Sequence, residues 1–189
     1  MGNGVFDLEH KIDEAKAALA RIDTWIHQCD TKISITLAFV GVLLSSLFYY
    51  YKVEFLLSVV RITLNSHSSW LALYLFVFFI SFVFLCYGVF CLIKSLLAKI
   101  DTMSYSKDKA FLKSKIYFGT IAQYNSFIEF ANDFDKETRS SYLLDIQSQL
   151  YINSIIAFEK FRLYNSGVKY SMSGFVSCVV LLGFWEYII

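Results

Sequence analysis

The sequence predicts an all-α membrane protein: three transmembrane helices plus a cytoplasmic helical bundle with an N-terminal heptad helix. Three observations lead there. Apolar residues make up 57% of the chain, above the roughly 45–50% of soluble domains. Three stretches are apolar for about 20 residues, the length a helix needs to cross the hydrocarbon core. Proline is absent, which suits long unbroken helices, because proline removes a backbone donor and clashes with the preceding turn. A length of 189 residues fits one folding unit, and a net charge of +1 selects no class of partner by itself.

Residues 1–32 read as the heptad helix. Val5, Leu8, Ile12, Ala15, Leu19, Ile22, Ile26 and Cys29 alternate by three and four residues, an a/d seam. Glu9, Lys11, Asp13, Glu14, Lys16, Arg21 and Asp23 lie between them, where they can stay in water. The register continues through Ile33, Thr36 and Val40, so one helix is expected to run from this segment into the first span. The seam packs either on the chain's own helices or on a second copy. The segment is charged and has no cleavable apolar core, so the first span is expected to do the targeting.

The expected spans are residues 33–51, 70–93 and 170–189. The first two carry no charged residue, and the third carries only Glu186 near its end. Lys11, Lys16, Arg21 and Lys32 precede the first span, Lys52 and Arg61 lie between the first two, and eleven basic residues lie between the second and third. Basic residues stay on the cytoplasmic side. This places the N-terminus and residues 94–169 inside, and the loop 52–69 and the C-terminus outside. Tyr49, Tyr50, Tyr51, Trp70, Trp185 and Tyr187 all fall on the same outer boundary, where amphipathic rings prefer to sit. Within the outer loop, residues 53–64 either lie along the leaflet as an interfacial helix or continue the flanking spans.

The cytoplasmic region 94–169 is expected to hold two helices, at about 107–133 and 137–169, joined by a polar link over 132–139. The second is expected to continue into the third span. The region has eleven basic against eight acidic residues, a modest surplus that suits an anionic small ligand. On the second helix Asp145, Gln149, Asn153 and Lys160 share one narrow arc of a surface that is otherwise nearly all apolar. Buried polar side chains need partners. Here the partners are either other helices or a bound polar ligand.

Catalytic chemistry finds no constellation. His10, His27 and His67 are isolated, and His27, Cys29 and Asp30 are too few and too close on one helix for a metal site. No glycine-rich phosphate loop and no nucleophile–base set is present, so neither enzyme activity nor a metal or resident cofactor is expected. Cys29, Cys86, Cys91 and Cys178 lie in apolar patterns and read as packing thiols. Small and hydroxylated residues mark the spans, among them Ser34, Thr36, Ser45 and Ser46 in the first and Gly167, Ser171, Ser173, Gly174, Ser177 and Gly183 in or near the third. Such residues allow close helix approach, or line a pore once subunits assemble. Ser45, Ser46, Ser171, Gly174 and Ser177 are the candidates for either role. No charge marks a mid-membrane pathway, which argues against an ion-coupled pump.

Three segments in their order relative to the spans resemble a known family. They are Cys29-Asp30-Thr31-Lys32-Ile33-Ser34 before the first span, Ile116-Tyr117-Phe118-Gly119-Thr120-Ile121-Ala122 in the cytoplasmic region, and the run from Tyr142 to Phe161 leading to the last span. Together they resemble the Pycsar-type transmembrane effectors of bacterial anti-phage defence, with SLATT-like and Hailong-like relatives. The resemblance implies a place in the bacterial inner membrane, beside a nucleotidyltransferase or cyclase that is itself a possible partner; the heptad helix, read as assembling subunits, adds the expectation of a homo-oligomer. It implies control by that enzyme's nucleotide product, a cyclic nucleotide or oligonucleotide. It also implies channel-like depolarisation or permeabilisation that arrests the infected cell. A nucleotide activates in Pycsar-like systems and restrains in Hailong-like ones. Asp30, Lys32, Phe118, Gly119, Gln149, Asn153 and Lys160 stand in the matching segments and are the candidate nucleotide-binding residues. Lys32 and Lys160 suit phosphate, and Tyr117, Phe118 or Tyr151 suit stacking on a base. The outer loop lacks a proline found in many relatives, and with no separate cyclic-nucleotide fold the helical region itself is the expected sensor. The rival reading is a membrane scaffold without a pore that recruits a cytoplasmic partner through the N-terminal helix.

Overall fold

A computed structural model describes residues 2–50, 57, 58, 60–62, 65, 69–97 and 114–188. The side chains of Val5, Glu186 and Tyr187, and the whole of Tyr51, Lys52 and His67, lie outside the described residues. The described residues form helices and turns with no strand. The helices are α1 (Gly2–Tyr50), α2 (Ser69–Leu96), α3 (Phe118–Ile121), α4 (Phe127–Phe134) and α5 (Arg139–Ile188). Of these α1, α2 and α5 are long and apolar enough to cross a membrane, and the chain is an all-α membrane protein. The proposed interfacial segment 53–64 lies largely outside the described residues, although 57, 58 and 60–62 are helical.

The single helix expected over 107–133 is not what forms. Residues 107–113 lie outside the described part, and 114–133 hold two short helices separated by turns. Short polar side chains redirect the backbone here, as Ser, Thr and Asn do when they compete for its hydrogen bonds. Ser114 Oγ accepts from the amides of Ile116 at 3.2 Å and Tyr117 at 3.1 Å, and the Thr120 hydroxyl donates back to the Ser114 carbonyl. Ser126 caps α4 by accepting from Glu129 N at 3.2 Å, while the Glu129 carboxylate returns to the Asn125 amide at 3.2 Å. This reciprocal cap starts a helix at a fixed residue. Thr138 caps α5 in the same manner, accepting from Ser141 N at 3.2 Å. From that cap α5 runs without a break for 50 residues.

The chain divides into two compact units, Met1–Gln28 with Ala98–Glu159, and Cys29–Leu97 with Lys160–Ile189. The first has a core of Ile12, Ala15 and Ile146, with Leu8, Leu19, Tyr142 and Leu143 packed on it. Leu8, Ile12, Ala15 and Leu19 of the α1 seam therefore pack with Tyr142, Leu143 and Ile146 of α5 in the same chain. Two polar pairs flank it: Arg139 donates to Glu9, and Asn153 Nδ2 donates to Asp23 Oδ1 at 2.9 Å. Both pairs are 130 residues apart, so the two helices run parallel in this unit. Lys16 lies over the Tyr142 ring at 5.2 Å.

In the second unit α2 packs antiparallel to α5. The buried residues of α2 are Ser81, Leu85, Gly88, Cys91, Leu92 and Ser95, one stripe at helical spacing. Opposite them stand Gly167, Ser171, Gly174, Ser177 and Leu181 of α5. A Cβ at Gly88 would lie 2.2 Å from the Ser171 amide nitrogen, and one at Gly174 would lie 2.5 Å from Leu85 N. The backbones approach this closely only because these positions carry no side chain. Ser81 and Ser177 share a hydroxyl hydrogen bond at 2.6 Å, and Tyr74 OH donates to the Leu181 carbonyl at 2.5 Å. Cys29 and Ile33 of α1 meet Leu92 in a second core, with Phe161, Tyr164 and Val168 around it. The hydroxyls of Ser34, Thr36, Ser45 and Ser46 each donate to a carbonyl four residues earlier in α1.

Candidate functional site

The second unit brings one residue from each long helix to a shared polar layer. Helix α1 supplies Asp30, α2 supplies Ser95 and α5 supplies Lys160. Lys160 is 6% exposed, and its Nζ donates to Asp30 Oδ1 at 2.5 Å. Ser95, fully buried, donates its hydroxyl to the Lys160 carbonyl at 2.8 Å. The neighbouring Cys29 is also fully buried. Burial pushes its thiol upward, the Asp30 charge adds to the rise, and Lys160 and Lys32 only partly oppose it. Cys29 is thus a protonated packing group and a poor nucleophile. Lys32 is exposed one turn away. All four cysteines are free thiols.

The remaining candidate nucleotide-binding residues lie in the first unit. Gln149 is buried and Asn153 is tied to Asp23. Phe118 is 76% exposed, its ring 4.8 Å from that of Tyr117. Gly119 lies under the same tyrosine, since a Cβ there would meet Tyr117 Cε1 at 2.5 Å. Close by, Lys115 is the hub of a polar cluster. Its amide donates to Asp145 Oδ2 at 2.7 Å and its Nζ to the Asp133 carbonyl at 2.5 Å. Tyr124 OH donates to Asp133 Oδ2 at 2.6 Å, and that bond is the main reason its phenol is pushed up to about 12. Burial raises the Glu137 carboxyl, with Lys115 opposing and Asp145 and Asp133 reinforcing. No group of three or more metal-ligating side chains occurs among the described residues.

The structure thus joins Asp30 to Lys160 and leaves Phe118, Gly119, Gln149 and Asn153 in the other unit. The pore-or-packing candidates divide too. Ser171, Gly174 and Ser177 lie in the α2–α5 contact, whereas Ser45 and Ser46 are exposed on α1. Trp185, read from sequence as an interfacial ring, is 1% exposed, with its ring centroid 5.3 Å from that of Tyr74. Trp70, Tyr49 and Tyr50 are exposed. The sequence reading gave Glu9 and Asp23 only to water, where the structure pairs them with Arg139 and Asn153, and it passed over Ser95 and Lys115. A signal for part of this existed: Glu9, Asp23 and Asp30 are spaced by multiples of seven, and each partner lies 130 residues on. Ser95 carried no such mark.

Comparison with known proteins then gives two matches. Residues 14–185 match the model of the Pycsar effector protein domain. The chain is also similar to the Pycsar effector protein GmPycTM of Gulbenkiania mobilis, 30% identical over 184 residues that cover 93% of each chain. No solved structure matches.

Proposed function

The chain belongs to the Pycsar effector protein family, membrane effectors of anti-phage defence, and on that premise we propose that it is a nucleotide-controlled, channel-like effector of the bacterial inner membrane. In this reading a nucleotide made by an associated cyclase or nucleotidyltransferase binds the cytoplasmic helices. Several copies assemble, and the spans open a path that depolarises the membrane and stops growth of the infected cell. The N-terminus and the region 94–169 face the cytoplasm, by the distribution of Lys and Arg.

The observation that carries the reading is the Asp30–Ser95–Lys160 layer. It ties all three long helices together by polar bonds at a single level. Among the described residues Lys160 Nζ pairs with Asp30, so its charge is satisfied while α1 and α5 remain apposed. A ligand shifts two states only by binding one better than the other. In this reading the paired layer seen here and a separated one are the two states, and α1 and α5 each contribute to both units. The pairing of Lys160 with Asp30 also favours a role in this contact over direct phosphate binding.

Ion or dye leak from proteoliposomes holding the full chain tests the proposal, with and without cyclic nucleotides. A leak that a nucleotide raises or suppresses supports it, and the direction gives the sign of control. No leak in any condition, from protein verified as folded and inserted, would replace it by the scaffold reading.

A further inference from the structure

Within the first unit, an open groove of about 680 Å³ lies along α1 and α5, and none of the candidate residues above lines it. That volume lies in the range of roughly 300–1,000 Å³ typical of small-molecule sites. Ala15 and Ala18 leave the α1 wall low, and Gln147 rises opposite from α5. Lys11 and Arg21 stand at the two ends, ten residues apart on α1 and so about 15 Å along the axis. Glu14 lies between them. Lys11 is held by Asp7 at 2.6 Å, but both side chains are more than half exposed, so the pair is weak and exchangeable. Arg21 makes no ion pair among the described residues. Its guanidinium is a fork of donors suited to two oxygens of a phosphate. Gln147 offers an amide edge that both donates and accepts, as the edge of a nucleobase requires. A cation stands at each end, with the Glu14 carboxylate and the neutral Gln147 amide between, so phosphate is favoured at an end and a base in the middle, which matches a nucleotide better than a bare anion.

We infer that this groove is the nucleotide site, with Arg21 on the phosphate, Gln147 on the base edge and Lys11 as a second, releasable cation. The inference rests on the nucleotide-controlled reading and relocates its site from Lys32 and Lys160 to the α1–α5 groove.

The test is equilibrium binding of 3′,5′-cyclic mononucleotides, and of inorganic phosphate alone, to the full chain in detergent. Losing a charge-assisted hydrogen bond costs about tenfold or more in affinity, so Arg21→Ala should weaken binding by that factor and Arg21→Lys by less. Gln147→Ala should change the order of preference among the bases. Arg21 and Gln147 are exposed, so both variants should melt as the parent does, which circular dichroism checks. Binding by the parent that survives Arg21→Ala and Gln147→Ala together would overturn the groove while leaving nucleotide control standing. Phosphate binding as tightly as every nucleotide would also overturn it, reducing the groove to an anion patch. No nucleotide binding by the parent would overturn both the groove and the reading beneath it.

Discussion

The Asp30–Lys160 pair allows an asymmetric prediction. The Lys160 side chain is 7% exposed and that of Asp30 34%, so the two charges are not equally committed. Removing one partner of a buried pair destabilises by about 3–5 kcal/mol, because the other charge is left without compensation. In Lys160→Met the orphan is Asp30, which keeps access to water, so the loss should fall near the lower end, about 3 kcal/mol. In Asp30→Asn the orphan is the buried ammonium, so the loss should be larger, about 4–5 kcal/mol. The double variant removes both charges from a site that already packs well. Replacing a whole buried pair is often neutral or stabilising, so the double should be more stable than either single. Reversible unfolding of the four proteins in mixed micelles, arranged as a double-mutant cycle, measures this. Singles and double falling on an additive line within about 0.5 kcal/mol would refute the argument, as would a larger loss from Lys160→Met than from Asp30→Asn.

Two further outcomes follow from the packing and the charges. Gly88→Ala should destabilise the α2–α5 contact by about 1–3 kcal/mol, because the new methyl meets the Ser171 backbone, whereas Gly41→Ala, with nothing within 4 Å of its Cβ, should be neutral or mildly stabilising; thermal melts in detergent compare them. Glu137 has its carboxyl raised by burial, so the fold favours the protonated form, and the stability it contributes at acid pH is lost as pH rises through its folded value. Glu137→Gln should therefore melt higher than the parent at neutral pH, and the difference should vanish below the ordinary carboxylate range when the two are melted across pH.

Much of the architecture was legible because it depends on patterns that the solvent imposes. Lipid leaves no partner for backbone groups, so uncharged runs of about 20 residues announce helices whatever their neighbours. The seam from Leu8 to Val40 was legible by its spacing, and Ile12, Ala15, Cys29, Ile33 and Val40 are buried as that spacing requires. Its partner was not legible, since an a/d seam is the same whether it meets α5 or another copy. The break at 114–126 was missed because it depends on which hydroxyl reaches which amide, and Ser114 and Ser126 look like ordinary helix surface in a sequence. The polar stripe of α5 was legible as a need for partners. Three of those partners are now specific: Lys115 for Asp145, Asp23 for Asn153 and Asp30 for Lys160. Candidate residues that came by resemblance were drawn from segments, and segments do not say which unit of the fold each residue joins.

The hydroxyls of α1 bear on how its span can change form. Ser34, Thr36, Ser45 and Ser46 each share a carbonyl oxygen with the amide already bonded there, which loosens that rung of the ladder and lets the helix curve. Because the chain has no proline, no position in the span bends it by losing a backbone donor. The first span is therefore an elastic strip with its compliance distributed along its length. A change of curvature is divided among several softened rungs, and no single backbone position has to carry it.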